Sequence, residues 1–142
     1  MKKITLALMF IVALAGCNQN SRKTANIAEQ TTIEAVSPTD VIVYYFHGKQ
    51  RCKTCVAVGD VARATVENAF ADNDKVRFVE INTSEKGNDA LIEKYEVTWN
   101  ALIIAEGENA IEITDQAFAT AIGNPQSLEN LIKEEITKRL TN

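Results

Sequence analysis

The sequence predicts an α/β domain built on a mixed four-stranded central sheet with helices on both faces. Runs of strand-forming residues alternate with segments of helical spacing, in the order β-α-β-α-β-β-α. A helix separates the first two strands, which favours a parallel pair, whereas a short turn joins the last two, which favours an antiparallel hairpin. A chain of 142 residues has room for one such domain and not for two ordinary ones.

The first half of the domain is predicted to be a strand, a helix and a second strand. Residues 41–46 are a continuous run of strand formers, typical of a buried central strand. Residues 52–71 have helical spacing and end at a turn signal in residues 72–74, and Gly59 permits a bend within this helix. The helix positions that follow the apolar spacing are Val58, Val61, Ala62, Thr65 and Ala69. The second strand covers residues 76–81, and its alternation puts on one face Val76, Phe78 and Glu80.

The second half begins with a helix over residues 86–95, whose apolar positions are Leu91, Ile92 and Tyr95. Residues 101–105 form a third strand, and a turn signal at residues 106–109 leads into a fourth strand over residues 110–114. These two strands are therefore predicted to form the hairpin.

Two helices complete the predicted domain. A short one over residues 116–122 ends at Gly123. The last one begins at Asn124, a favourable N-cap, followed by Pro125 at the first helical position. Its apolar stripe consists of Leu128, Leu131, Ile132, Ile136 and Leu140, and its solvated face carries Glu129, Lys133, Glu134 and Lys138.

The first 17 residues have the pattern of an export and lipidation signal. Lys2 and Lys3 precede an apolar segment, residues 4–15, that is too short to span a bilayer as a stable helix. The segment Leu14-Ala15-Gly16-Cys17 resembles the lipobox of bacterial lipoproteins, in which cleavage precedes an acylated cysteine. The alternative is a plain secretory signal with Cys17 present by chance.

This pattern predicts three regions: a signal peptide (residues 1–16), a lipidated polar tether (residues 17–38) and a folded domain (residues 39–142). Without Lys2 and Lys3, the 15 basic residues fall to 13, against 19 acidic ones. Such an acidic chain is a poor candidate for nucleic-acid binding, and without a polybasic patch its membrane attachment depends on the acyl chains of Cys17.

An acylated Cys17 cannot form a disulfide, which leaves Cys52 and Cys55 as a self-contained pair outside the cytosol. Two thiols at this spacing can form a disulfide with each other, bind a soft metal ion, or do nothing. The strand before them and the helix after them favour the disulfide.

A Cys-x-x-Cys at the start of the helix after the first core strand resembles the thioredoxin superfamily, over roughly residues 39–140. More narrowly, residues 45–48 together with residues 51–55 resemble a group of bacterial thioredoxin-like proteins named nitrophenyl compound nitroreductase subunit ArsF. The resemblance implies a thioredoxin-like fold, with Cys52 as the nucleophile and Cys55 as the resolving cysteine. Because no Gly-rich phosphate loop is present in the sequence, no flavin or nicotinamide cofactor is expected.

The sequence departs from the superfamily pattern at two places. The superfamily's active-site loop corresponds to Trp99, Asn100 and Ala101, and Ala101 stands where the cis-proline is expected, so this loop is predicted to be trans or differently shaped. The first strand carries Tyr44 and Tyr45 where many thioredoxins have a buried acid. Both differences indicate a specialised site.

Two features favour redox chemistry at Cys52. A helix N-terminus stabilises a thiolate, and nearby positive charges do the same; the candidates are Lys49, Arg51 and Lys53. The alternative is a structural disulfide, but closing so short a loop removes little entropy from the unfolded chain.

Three other side chains have open roles. His47 is either a proton-transfer group, a third ligand to a soft metal with Cys52 and Cys55, or a loop residue with its ring in solvent or bonded to backbone. Trp99 is either a platform for a partner's chain or a local packing residue. Glu80 is a weak candidate for a buried acid near the site, with an exposed or hydrogen-bonded strand-end position as the alternative.

These patterns predict a monomeric, membrane-tethered thiol–disulfide oxidoreductase that faces the periplasm. Its partners would be protein thiols or disulfides and a second redox protein. Two alternatives are a thiol-based module that binds or delivers Cu(I) or As(III), and an interaction domain with inactive cysteines.

Overall fold

The central sheet has the strand order β2-β1-β3-β4 in the computed structural model, which describes residues 37–141. The strands are β1 (Val41–His47), β2 (Val76–Asn82), β3 (Ala101–Glu106) and β4 (Asn109–Glu112). β1 pairs in parallel with β2 and antiparallel with β3, and β3 pairs antiparallel with β4. The predicted parallel pair and hairpin are confirmed. The predicted signal peptide, Cys17 and the tether up to residue 36 lie outside the described residues.

Helices cover both faces of this sheet, as predicted. They are α1 (Lys53–Ala69), α2 (Asp89–Lys94), α3 (Thr114–Thr120) and α4 (Pro125–Leu140). Every residue of β1 is buried, and alternate residues enter two separate apolar clusters. Val41, Val43 and Tyr45 join the cluster with α1, α3 and α4, whereas Ile42, Tyr44 and Phe46 join the one with α2. This mixed open α/β sheet is consistent with a thioredoxin-like fold.

α1 follows the predicted spacing over most of its length and differs at its end. Val58, Ala62 and Thr65 are buried, but the predicted apolar position Ala69 is exposed and Val66 is buried instead. Gly59 is buried against β1, where an added Cβ would lie 2.9 Å from a ring carbon of Tyr45. Glycine is therefore needed at position 59 because the helix approaches the strand too closely for a larger side chain.

The other boundaries shift by a few residues. α2 is shorter than predicted. β4 ends at Glu112, two residues earlier than predicted, because the chain turns inward at the buried Ile113 and starts α3 at Thr114. The Thr114 hydroxyl accepts a 3.0 Å hydrogen bond from the Leu102 backbone N–H, which fixes this switch from strand to helix. Gly107 has a φ of +55° in the β3–β4 turn, a conformation that glycine adopts without strain.

α4 begins as predicted, because the Asn124 side chain accepts a 3.2 Å hydrogen bond from the Ser127 backbone N–H. Its apolar stripe faces the core, and Leu128, Ile132 and Ile136 are fully buried. Glu135, which the sequence did not single out, is also buried. None of the helices within residues 37–141 is both long enough and apolar enough to cross a membrane.

Candidate functional site

Cys52 and Cys55 are joined by a disulfide at the start of α1, with their Cα atoms 4.9 Å apart. Cys52 is the N-cap residue, and its Sγ accepts a 3.0 Å hydrogen bond from the Cys55 backbone N–H. Cys52 is exposed, whereas Cys55 is 4% exposed. An incoming thiol can therefore reach Cys52 from solvent, and Cys55 is shielded.

The loop before β3 lies beside this disulfide. A pocket of about 370 Å³ is lined by Gln50, Cys52, Cys55, Trp99, Asn100, Thr114 and Phe118. Trp99 is 79% exposed, which excludes local packing as the reason for this large apolar side chain. The structure thus brings Trp99 and Asn100 together with both cysteines, as the sequence predicts.

Ala101 lies apart from this pocket. It is the first residue of β3, is 3% exposed and belongs to the apolar cluster on the α2 side of the sheet. The predicted substrate loop is therefore divided, because two of its residues line the pocket and the third packs beneath them.

A second groove, of about 630 Å³, meets the first at Cys52 and Trp99. Its lining is more polar and consists of Gly48, Lys49, Gln50, Arg51, Cys52, Thr83, Ser84, Thr98, Trp99 and Asn100. Cys52 thus lies where an apolar pocket and a polar groove join.

His47 is the last residue of β1 and is not a loop residue, which corrects its predicted position. Its ring is largely buried, because Nδ1 lies 2.8 Å from the Gly48 carbonyl oxygen and Nε2 lies 3.1 Å from Glu80 Oε1. The prediction that the His47 ring lies in solvent was therefore wrong, whereas the alternative that it bonds to the backbone is confirmed.

Glu80 is in the interior of β2, directly opposite Tyr45 of β1, so the expected strand-end position was wrong. The expectation of a hydrogen-bonded carboxylate is confirmed. It receives Arg63 from α1 through a short contact to Oε2, and Arg51 Nη1 lies 2.6 Å from Oε1. Together with His47, these contacts make Glu80 the centre of a charged cluster next to the disulfide.

Tyr45 connects this cluster to the buried cysteine. Its hydroxyl donates a 2.6 Å hydrogen bond to the Cys55 carbonyl oxygen, and the Arg51 guanidinium lies 5.5 Å from its ring centroid. Burial raises the pKa of Tyr45 above its usual value, so the hydroxyl remains a donor at neutral pH.

The three predicted cations differ in their availability to Cys52. Arg51 is paired with Glu80, so much of its positive charge is compensated. Lys49 and Lys53 are exposed, and water screens their charges. The hydrogen bond from the Cys55 N–H and the start of α1 are therefore the best-placed groups to stabilise a Cys52 thiolate.

Comparison with known proteins adds one finding about the N-terminus. Residues 1–18 match a family model described as the prokaryotic membrane lipoprotein lipid attachment site. The chain is a lipid-anchored lipoprotein of the cell envelope. The matched segment contains Cys17, which supports that residue as the lipidated cysteine. No curated protein matches the chain.

The three-ligand form of the soft-metal alternative would need Cys52, Cys55 and His47 around one point. Within residues 37–141, no cluster of three or more His, Cys, Asp or Glu side chains is arranged to hold a metal ion. The two sulfurs are bonded to each other, and His47 Nε2 faces Glu80. The described part of the lipoprotein therefore does not gather Cys52, Cys55 and His47 into a ligand set.

Several site residues were not predicted from the sequence. Phe118 and Thr114 come from α3, which the sequence places far from the cysteines along the chain. Arg63 reaches Glu80 from α1, and the only available signal was that Glu80 shares its strand face with Val76 and Phe78. Because Val76, Phe78 and Glu80 alternate on one face of β2 and α1 packs on that face, Glu80 could be expected to lie near α1.

Proposed function

We propose that this lipoprotein is a thiol–disulfide oxidoreductase that acts on protein cysteines at the periplasmic side of a membrane. The observation that carries the proposal is the disulfide between an exposed Cys52 and a buried Cys55 at the start of α1, beside an open groove. A helix N-terminus favours thiolate at the exposed position, and thiolate is the species that attacks a disulfide.

The proposed reaction exchanges one disulfide for another. In the reducing direction, the Cys52 thiolate attacks a substrate disulfide, forms a mixed disulfide and releases one substrate thiolate, which takes up a proton. Cys55 then loses its proton and attacks Cys52 Sγ, which releases the second substrate thiol and forms the Cys52–Cys55 disulfide. Two electrons pass from the lipoprotein to the substrate, and the reverse sequence oxidises a substrate dithiol.

A purely structural disulfide fits these observations less well. The two cysteines are three residues apart, so their bond constrains little of the unfolded chain. The first turn of α1 is already held by the hydrogen bond from Tyr45 to the Cys55 carbonyl. Stability therefore gives little reason to place a disulfide here.

The groove supports a protein substrate. Trp99 is 79% exposed next to Cys52 and offers an apolar surface to a polypeptide laid across the site. The adjoining polar groove gives hydroxyl and amide groups that can bond to the backbone of such a segment. A protein cysteine presented on an extended segment is the substrate that this arrangement fits.

The place where the chain enters the domain is compatible with this role. Residue 38 lies against the β3–β4 turn at Gly107, at the end of β1 opposite to Cys52. A seven-residue strand spans about 20 Å, so the site is well separated from the point where the proposed tether, residues 17–38, enters the domain, residues 39–142. Cys52 can therefore face away from the bilayer.

The test is the redox equilibrium of the Cys52–Cys55 pair in glutathione buffers, read as the fraction of protein thiols that react with an alkylating reagent. The Cys55→Ser variant is expected to accumulate a mixed disulfide with a disulfide-containing substrate protein, because Cys52 can attack and nothing resolves the product. The Cys52→Ser variant is the matched control and should trap far less. A pair that does not exchange with glutathione, or equal trapping by both variants, would rule out the proposal.

A further inference from the structure

The charged cluster around Glu80 links the loop before Cys52 to the sheet and to α1. Disulfide exchange at the two cysteines does not itself require this link. Glu80 is a half-buried carboxylate that joins three segments: His47 at the end of β1, Arg51 in the loop before Cys52, and Arg63 in α1. One negative charge is thus shared by two guanidinium groups. Such a cluster could stabilise the sheet from any position. Here one of its members, Arg51, directly precedes Cys52.

Arg51 is held on several sides. Its Nη1 lies 2.6 Å from Glu80, its guanidinium lies over the Tyr45 ring, and a Cβ at position 59 would fall 2.6 Å from Nη2. Only glycine leaves room for the side chain in this place. These contacts give the Arg51 charge a preferred position relative to the adjacent Cys52.

Tyr45 holds the other end of the motif. Its hydroxyl bonds to the Cys55 carbonyl, and its ring is in contact with the same guanidinium. Glu80 therefore holds Arg51, just before the Cys-x-x-Cys segment, and Tyr45 holds Cys55 at its end. Tyr45 and Glu80 are themselves direct neighbours across the β1–β2 pair.

We propose that Glu80 is a positioning residue that sets the redox equilibrium of the Cys52–Cys55 pair by compensating the charge of Arg51. The inference rests on the proposed oxidoreductase function. With Glu80 in place, part of the Arg51 charge is compensated, so this cation contributes less to the stability of a Cys52 thiolate. Without the carboxylate, the uncompensated guanidinium favours the thiolate, and hence the reduced form.

The equilibrium between the Cys52–Cys55 disulfide and glutathione measures this effect. The Cys52–Cys55 disulfide takes two electrons and two protons from two molecules of reduced glutathione, which become one molecule of glutathione disulfide. Any group that stabilises the Cys52 thiolate shifts this equilibrium towards the reduced protein.

Removing the two partners one at a time is expected to give effects of opposite sign. Glu80→Gln should shift the equilibrium towards the reduced form by about tenfold, which is about 30 mV for a two-electron couple, and should lower the pKa of the Cys52 thiol. Arg51→Gln removes the cation next to Cys52 and leaves Arg63 as the guanidinium partner of Glu80, so it should shift the equilibrium and the pKa of the Cys52 thiol in the other direction. The double variant leaves the net charge of the cluster unchanged, although Arg63 loses its carboxylate partner, and its equilibrium should lie between those of the two single variants.

The matched control is Asp40→Asn. Asp40 pairs with Arg77 at 2.9 Å, also close to the β1–β2 pair but at the end far from the cysteines. This variant loses an ion pair near the same strands and should leave the redox equilibrium unchanged, even if its melting temperature falls.

The measurements are the glutathione equilibrium and the pH dependence of Cys52 alkylation, made on each folded variant. Shifts of opposite sign for Glu80→Gln and Arg51→Gln support the proposal. Shifts of the same sign, or none, in a protein whose wild type exchanges with glutathione would overturn it, whereas a wild type that does not exchange contradicts the proposed function instead. Should Glu80→Gln fail to fold, the direction of the Arg51→Gln shift decides alone: a shift towards the disulfide supports the proposal, and any other result overturns it.

Discussion

The Tyr45 hydroxyl lies 2.6 Å from the backbone carbonyl oxygen of Cys55 and donates a hydrogen bond to it. Tyr45 is fully buried in the central strand, so this bond ties the first turn of α1 to the buried core of the sheet. In the sequence, Tyr45 belongs to the motif in residues 45–48 and stands where many thioredoxins have an acid. The structure gives it a defined contact with the redox motif.

Tyr45→Phe tests this contact. The substitution keeps the ring and removes the donor, so we expect the free energy of unfolding to fall by about 1 kcal/mol. Urea denaturation measures the loss, and amide hydrogen exchange locates it in the first turn of α1. Tyr44→Phe is the control, because it makes the same change in the same strand on the opposite face of the sheet. Equal acceleration of exchange at α1 in both variants would contradict the proposed role of the bond.

Gly59→Ala tests the close approach of α1 to β1. At an exposed helix position this change stabilises a protein by up to about 1 kcal/mol. Here the new methyl group would lie 2.6 Å from Arg51 Nη2 and 2.9 Å from the Tyr45 ring. The guanidinium can move aside, but the buried ring cannot easily do so, and we therefore expect destabilisation of about 1–2 kcal/mol.

Gly123→Ala is the matched control for this substitution, because an added Cβ there meets nothing within 4 Å. Both variants are compared by thermal and urea denaturation. An increase in the stability of Gly59→Ala would show that the packing between Arg51, Tyr45 and the helix is looser than the structure indicates.

Local sequence patterns predicted those parts of the structure that depend on local spacing. The apolar run of β1, the Cys-x-x-Cys at the start of α1 and the Asn124–Pro125 start of α4 each involve a few consecutive residues. Strand alternation also placed Glu80 on the correct face of β2. These features follow from backbone geometry that a short segment determines by itself.

The charged cluster could not be predicted in this way. It depends on the register that sets Glu80 opposite Tyr45, and on a helix that brings Arg63 within reach of the same carboxylate. Neither relation leaves a pattern in the sequence. β1 has no carboxylate, but Glu80 of the neighbouring strand lies opposite Tyr45 instead.

The buried carboxylate of α4 leads to a prediction about pH. Hydrogen bonds from Lys138 and Arg139 hold the pKa of Glu135 below its usual value of 4.5. A carboxyl group whose pKa is lower in the folded state stabilises the fold at pH values above its unfolded pKa. That contribution disappears as the pH falls through the folded pKa.

Glu135→Gln should therefore lose about 1 kcal/mol of stability at neutral pH. The difference from the wild type should persist down to about pH 5 and shrink as the pH falls further below 4.5, because the wild-type carboxyl then becomes protonated. Urea denaturation at a series of pH values measures the difference. Glu129→Gln changes a more exposed ion pair on the same helix and should have a smaller effect. A loss for Glu135→Gln that does not depend on pH would show that the charge of Glu135 is not what stabilises α4.

Trp99 is 79% exposed and lines both grooves next to Cys52. Because it buries little surface in the isolated domain, Trp99→Ala should change the free energy of unfolding by no more than about 0.5 kcal/mol. If the indole supports a polypeptide substrate, its removal should slow exchange of the reduced protein with a disulfide-bonded peptide by about tenfold. Exchange with glutathione disulfide, which is too small to need this platform, should be nearly unchanged.

The comparison of the two substrates separates a substrate platform from an effect on the cysteines themselves. A change in thiolate reactivity would alter both exchange rates together, whereas loss of a contact surface alters only the rate with the peptide. Ile122→Ala is the control, because Ile122 is a 51% exposed apolar residue that lines neither of the two grooves. Equal slowing of peptide exchange in both variants would mean that general surface hydrophobicity, and not the position of Trp99 beside Cys52, accounts for the effect.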